Sequence, residues 1–380
     1  MNAPLTPSKT TPGNPLSVAS GFSNGGQAAI TQYGAWDKNL RPTAVQQFNL
    51  TMQYLIDNNM TAQLGYVGEI GQRLIVPASP NQYTQANVGT SAPFYNLVGS
   101  GGYVVLTVSE GVENYNALQA TLRRQQSNGL EYTLNYTWAR AMTNNPGFFG
   151  IAGVNTASAY WQNYYDPRSD YGPTGFDVRQ SLNGTAVWQL PFGRGRKFGN
   201  NWNRALDESI GGWQLSGDTI LHTGFPTNMT GSNNGGFHAR TARANQYRPL
   251  FVKNRSVQHW FGTDPSANPC TGADNGTCAY GSDSLGQFGS AHVNNGPRAP
   301  GYRIIDLSLF KSFPTIESQT LTFRVDAFNV GNIASYAAPA YVSAANGVSA
   351  ANFPQNSLEG DITSTLSPAR QLQLSLIYRF

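Results

Sequence analysis

Nine stretches of this chain alternate apolar and polar residues with a period of two, and the connections between them alternate as regularly between short and long. Period two is the pattern of a strand with two different faces. The last stretch, RQLQLSLIYRF at 370–380, puts Leu372, Leu374, Leu376, Tyr378 and Phe380 on one face. Gln371, Gln373, Ser375 and Arg379 take the other, with Ile377 the only apolar intruder. VQQFNLTMQYLI at 45–56 sets Phe48, Leu50, Met52 and Tyr54 against Asn49, Thr51 and Gln53, and after DNNM the segment TAQLGYVGEIG completes a hairpin. ENYNALQATLRR at 113–124 alternates less cleanly. LEYTLNYTWAR at 130–140 is the strongest internal case, with Leu130, Tyr132, Leu134, Tyr136 and Trp138 opposing Glu131, Thr133, Asn135 and Thr137. SLNGTAVWQLP at 181–191, GGWQLSGDTILHT at 211–223, YRIIDLSLF at 302–310 and LTFRVDAFNV at 321–330 complete the set.

Short links fall at 57–60, 125–129, 192–210 and 312–319. Long ones fall at 72–112, 141–179, 224–301 and 331–369, rich in Asn, Gly, Ser, Tyr and Pro. A water-soluble domain rarely carries several structureless loops above about 15 residues, always at one end of its hairpins. An outer-membrane barrel does, with short periplasmic turns and long extracellular loops. In hydrocarbon every backbone amide needs a partner, so a sheet spans only if it closes. One face then meets lipid and the other a wet or plugged lumen. The expected fold is all-β, an antiparallel transmembrane β-barrel over residues 45–380, with 1–44 loop-like. Nine strands is an odd number, whereas bacterial single-chain barrels are even. The expectation is an incomplete portion of about 9 to 10 strands, with GYVVLTVSE at 102–110 a candidate tenth.

Composition narrows the alternatives. Charged residues make up 12% of the chain, against about 25% in an ordinary globular domain. Lys and Arg number 24 and Asp and Glu 20, spread without a concentrated basic run, so nucleic acid is not an expected partner. No run of about 20 apolar residues offers a transmembrane helix, which leaves spanning strands open. The opening MNAPLTPSKTTPGNPLSVASG has no basic start followed by an apolar core, so it does not read as a secretory signal.

Candidate sites are sparse. Cys270 and Cys278, within NPCTGADNGTC, suit an oxidised pair closing a small loop, with two unpaired thiols as the alternative; their spacing is not that of a zinc knuckle. FGRGRKFG at 192–199 lacks phosphate-loop spacing and reads as a periplasmic turn whose Arg194, Arg196 and Lys197 sit near headgroups or solvent. Arg123, Glu131, Asp306, Arg324 and Asp326 fall on polar strand faces and are candidate lumen-facing charges. AYWQNYYDPRSDYGPTGFD at 159–177 interleaves aromatic rings with amides and carboxylates, which makes Tyr160, Trp161, Tyr164, Tyr165, Asp166 and Tyr171 the candidate substrate-contact loop. No Ser-His-Asp, Cys-His or H-E-x-x-H arrangement is present, so neither catalysis nor a cofactor or metal is expected.

Taken in order, SNGLEYTLNYTWARAM, LPFGRGRKFGN, IGGWQLSGDTILHTGFP, RIIDLSLFKSF, LTFRVDAFNVGN and LQLSLIYRF resemble the carboxyl-terminal barrel region of TonB-dependent outer-membrane receptors, most closely the Oar-like branch. The likeness covers roughly residues 45–380. It implies a portion of a 22-strand barrel in the outer membrane that binds a substrate outside and passes it inward. The implied partners are outer-membrane lipid, a TonB-type energy-transducing complex for the full-length receptor, and a small-molecule, saccharide or peptide substrate. TonB box, plug and amino-terminal sandwich are not recognisable in this sequence. A structural or adhesive barrel, or a secreted carbohydrate-binding β-rich protein, is the alternative.

Overall fold

The structure is a computed structural model that describes residues 32–82, 92–94, 103–145, 161–229, 243–270, 273–281, 288–294, 296–316, 319–339 and 360–380. Its main body is one meandering sheet. Nine long strands follow each other in chain order: β2 (Ala44–Asp57), β3 (Met60–Ala78), β4 (Tyr103–Ser127), β5 (Leu130–Thr143), β7 (Gln180–Gln189), β8 (Gln214–His222), β11 (Tyr302–Pro314), β12 (Thr320–Phe328) and β13 (Gln371–Arg379). Each pairs antiparallel with its neighbours, and the order across the sheet is β13-β12-β11-β8-β7-β5-β4-β3-β2. Among the described residues β2 and β13 do not pair with each other, so the sheet is open.

Register carries the alternation of each strand across the sheet. Leu50 stands opposite Tyr66, Tyr66 opposite Leu118, and Leu118 opposite Trp138. On the far half Trp188 meets Leu215, Leu215 meets Leu309, Leu309 meets Val325 and Val325 meets Leu374. One face is therefore apolar from edge to edge, and it is exposed: Leu50, Met52, Tyr54, Leu372, Leu374 and Leu376 each keep two thirds or more of their surface open. A one-residue slip would exchange the faces, so in hydrocarbon this register is strongly fixed. The tight turns support it. Asn128 and Gly129 both have positive φ, the two-residue hairpin turn matched to strand twist. A Cβ on Gly129 would lie 2.9 Å from the Gln189 carbonyl oxygen, so only glycine fits there.

Three departures from the sequence reading concern the long-loop end. The stretch 72–112, expected to be a loop, holds the last turn of β3 to Ala78 and the beginning of β4 from Tyr103. Residues 102–110 supply no separate tenth strand, because they continue β4, whose 25 residues far exceed the ~11 that cross a membrane. Ala78 pairs with Leu106 and Pro77 with Thr107, so the hairpin stands well clear of the bilayer. Finally, β1 (Gln32–Trp36) lies in the segment expected to be loop-like. Since β5 reaches only as far as Glu113 on β4, the edge of Tyr103–Thr107 is free, and β1 pairs with it in parallel. Short pairings complete the set: β6 (Gly172–Pro173) on β5, and β9 (Asn245–Gln246) with β10 (Tyr280–Gly281).

Candidate functional site

The long connections form a folded layer beyond the sheet, held by buried polar side chains. At its centre Arg243 and Asp170 form an ion pair with almost no exposure on either side chain. Arg243 donates from Nε to the Ala291 carbonyl at 2.7 Å and from Nη2 to the Ser169 carbonyl at 3.0 Å. Its backbone N–H donates to Gln162 Oε1 at 2.7 Å, while Gln162 donates from its backbone to Asp170 Oδ2 at 3.0 Å and from Nε2 to the Gly289 carbonyl at 2.9 Å. Gln82 then donates to the Gln162 carbonyl and accepts from the Tyr164 backbone. Three of the long connections meet at this point. Burial pushes the Asp170 carboxyl above its ordinary range, against the pull of the Arg243 guanidinium.

A second knot centres on Asp177, which accepts from Arg298 Nη2, from the Ala141 backbone at 2.8 Å, and faces Arg179 Nε at 3.1 Å. Arg298 also donates to the Asp177 and Gly224 carbonyls, and its own carbonyl accepts from Trp260 Nε1 at 2.7 Å. The Arg255 guanidinium lies 4.5 Å over the Trp260 ring. A disulfide joins Cys270 to Cys278, and Asp274 nearby holds Arg248 by two contacts of 2.8 and 2.7 Å. Cys270, Asp274 and Cys278 are close enough to resemble a metal-ligating group, but both sulfurs are spent in the disulfide.

Within the aromatic loop the rings divide. Trp161 is 1% exposed, packed on Val76, Ala78 and Val108, and its indole N–H donates to the Asn144 carbonyl at 2.8 Å, so its ring serves the layer's core and cannot stack on a ligand. Tyr164 packs against the same cluster and sets its ring edge-on to Tyr165 at 5.5 Å. Burial pushes both phenols up. Tyr165, Tyr171 and Phe176 are open to solvent, and Asp166 and Tyr171 flank the Pro167–Asp170 turn at its two ends. Tyr160 lies outside the described residues. The surface with free aromatic area is therefore Tyr165, Tyr171 and Phe176. Phe176 carries no signal of its own in the sequence beyond belonging to the same stretch.

Arg123, Glu131, Asp306, Arg324 and Asp326 all occupy the polar face by register. The structure brings three of them into one region. Arg324 Nε contacts both Asp326 oxygens at 2.8 and 2.9 Å, Ser308 also donates to Asp326, and Asp306 accepts from the Asn329 backbone at 2.6 Å. Asp306 stands directly opposite Asp218. Arg123 and Glu131 are exposed near the β4–β5 turn, apart from that group. Asp218 is a further polar-face carboxylate outside the candidate set, as are Glu69 and Glu113, although it alternates with the apolar residues of β8 in plain view.

A protein-family model described as an outer membrane beta barrel domain matches residues 1–373. No curated protein matches the sequence. Among solved structures the chain is similar to the outer membrane transporter YddB from Escherichia coli, with 9% identity and a TM-score of 0.45 over 92% of this chain and 34% of that one. It is also similar to the FrpB iron transporter from Neisseria meningitidis (F3-3 variant), with 9% identity and a TM-score of 0.38 over 90% of this chain and 32% of that one. The chain spans about a third of the length of each.

Proposed function

The chain belongs to the outer membrane beta barrel domain family, and from that premise we propose that it is the barrel part of a TonB-dependent outer-membrane transporter of the Oar-like branch. It resides in the outer membrane and is not an enzyme. In this reading it binds its substrate at the layer of long loops and passes it along the polar face of the sheet. The observation that carries the reading is the open sheet. Nine spanning strands leave the outer edges of β2 and β13 unpaired among the described residues, and unpaired backbone groups are costly in hydrocarbon. In this reading further strands close the wall, as those of a 22-strand barrel would. The motifs from SNGLEYTLNYTWARAM to LQLSLIYRF support the receptor class, and the polar face supplies the charges that a plug or a passing solute would meet. The substrate class is a small molecule, saccharide or peptide contacted by Tyr165, Tyr171 and Asp166, and the full-length receptor would engage the TonB-type complex.

An immunoblot of native outer membranes with an antibody against residues 224–301, comparing unheated with boiled samples, tests this. A heat-modifiable band far above 41.1 kDa is expected. A heat-modifiable band at that mass refutes the larger barrel, and leaves a small structural or adhesive barrel as the reading.

A further inference from the structure

We propose that the outer wall of the sheet holds one phospholipid of the periplasmic leaflet at a defined site, with an acyl chain in a groove across β7 and β8 and its phosphate at the turn that joins them. The groove has a volume of about 280 Å³ and lies on the apolar face. Gly184, Ala186 and Gly217 form its floor, where neighbouring strands carry no bulk, and Leu134, Trp188 and Leu307 form its walls. Because it is continuous with the face that meets hydrocarbon, its natural occupant is an aliphatic chain.

The end of the groove at Trp188 leads directly into the β7–β8 connection, and that connection is built against the same wall. Its helix α1 (Arg204–Ile210) is capped by Lys311, which stands on the apolar row of β11 and donates to the Asp207 carbonyl at 3.0 Å and to the Glu208 carbonyl. Trp213 donates from Nε1 to the Ser209 carbonyl at 2.9 Å and meets Phe323, of the same apolar face, edge-on at 6.2 Å. The helix is thereby fixed on the outside of the sheet at its short-turn end. Beside it Arg194, Arg196 and Lys197 are exposed, and among the described residues none forms an ion pair. Arg194 is tied to that helix, its backbone N–H donating to Asp207 Oδ1 at 2.7 Å and its Nε to the Trp202 carbonyl at 2.8 Å, whereas Arg196 donates to Gln189 Oε1 at 3.0 Å, on the polar-face side of the turn. Phe192 and Phe198 lie with their rings 5.9 Å apart and partly exposed, at the level where aromatic residues meet headgroups. Exposed cations without an ion-pair partner, on the turn into which the apolar groove leads, complement one amphiphile with an anionic head. Sidedness selects the source: this end carries the short turns, so the lipid is a phospholipid and not lipopolysaccharide.

The test is native mass spectrometry of the membrane-folded protein extracted unheated from outer membranes, then stripped and resupplied with palmitoyl-oleoyl phosphatidylglycerol. One retained phospholipid is expected. Ala186→Phe, which fills the groove, and the charge reversal Arg194→Glu, Arg196→Glu, Lys197→Glu should each lower retention by roughly fivefold or more. Lys253→Gln, in the loop layer at the other end, should leave retention unchanged. Absence of any retained lipid overturns the site. So does retention of lipopolysaccharide instead, or undiminished retention in a folded variant of either kind. If Ala186→Phe loses heat-modifiability and so fails to fold, the charge variant decides, since its side chains lie outside the sheet. The site stands or falls apart from transport, because neither readout depends on a substrate.

Discussion

The sheet and the loop layer are made by one chain under opposite rules. In the sheet, apolar side chains are the exposed ones, and the backbone ladder does the holding. In the loop layer the buried centre is charged and polar: Arg243, Asp170, Gln82 and Gln162 are all under 10% exposed, and they link segments up to 127 residues apart. The contrast follows from solvent. Lipid accepts Leu50 or Leu374 at no cost, so the sheet needs no apolar interior on that side. The loops face water with few large apolar residues to bury, so convergent hydrogen bonds fix their geometry, and such a network is sound only while every member is satisfied.

Breaking the centre of the loop layer should therefore have the largest effect, and should leave the sheet alone. Arg243→Leu strands a buried carboxylate, a change worth about 3–5 kcal/mol. The expected outcome is rapid proteolysis and hydrogen exchange in residues 161–171 and 288–294, with heat-modifiability intact. If the sheet is lost together with the loops, the two regions are not energetically separate.

The sheet has its own asymmetry between adjacent residues. Met52 and Gln53 point to opposite faces of β2, by their pairing with Leu64 and Gln63. Met52→Arg places a charge in the apolar band, at a cost of about 2–4 kcal/mol near the midplane. Gln53→Arg should cost under ~1 kcal/mol, because lumen-facing charges are tolerated. The fraction of folded, heat-modifiable protein in membranes reads the difference, and equal losses would mean that β2 does not have one face in lipid.

These two regions were not equally legible in the sequence. All nine long strands could be read from alternation, because the period is local and each face reports its solvent within a few residues. The loop layer could not. Asp170 and its partner Arg243 are 73 residues apart, and nothing near either one signals the other. Trp161 reads as a stacking surface among tyrosines, yet it is core, because the β3–β4 overhang supplies Val76, Ala78 and Val108 to cover it. The overhang was missed for a related reason: the bulges after Gln72 and Leu74 break the alternation of β3 where it leaves the membrane. Cys270 and Cys278 were visible as a pair because their link is short. Replacing both by Ser should weaken the local fold by roughly 2–3 kcal/mol, the loop-closure value for so short a ring. The expected readout is faster proteolysis between β9 and β10, with the Arg243 network still protected.

The smallest effect is a pH dependence at the solvent edge of the layer. Asp264 caps the Pro265–Ala267 turn: the Ser266 N–H donates to its Oδ1 at 3.0 Å, and Lys253 Nζ lies 3.0 Å from Oδ2. The capping bond first, and the lysine with it, hold its carboxyl down from the ordinary 3.8 to about 2. A carboxylate whose pKa is lower in the folded than in the unfolded chain stabilises the fold above the unfolded value and ceases to do so as pH falls through the folded one. Its contribution is thus complete above about pH 4 and is lost between there and about pH 2. Pepsin, which works across this window, should spare residues 250–268 at pH 4 and cut them at pH 2. Asp264→Ala, which removes the capping oxygen, should bring cleavage at both. The cap is partly buried beside an exposed Lys253 at the edge of the layer, so the change should remain within this turn, and cleavage spreading to residues 161–171 would show that the layer's edge and its buried centre open together.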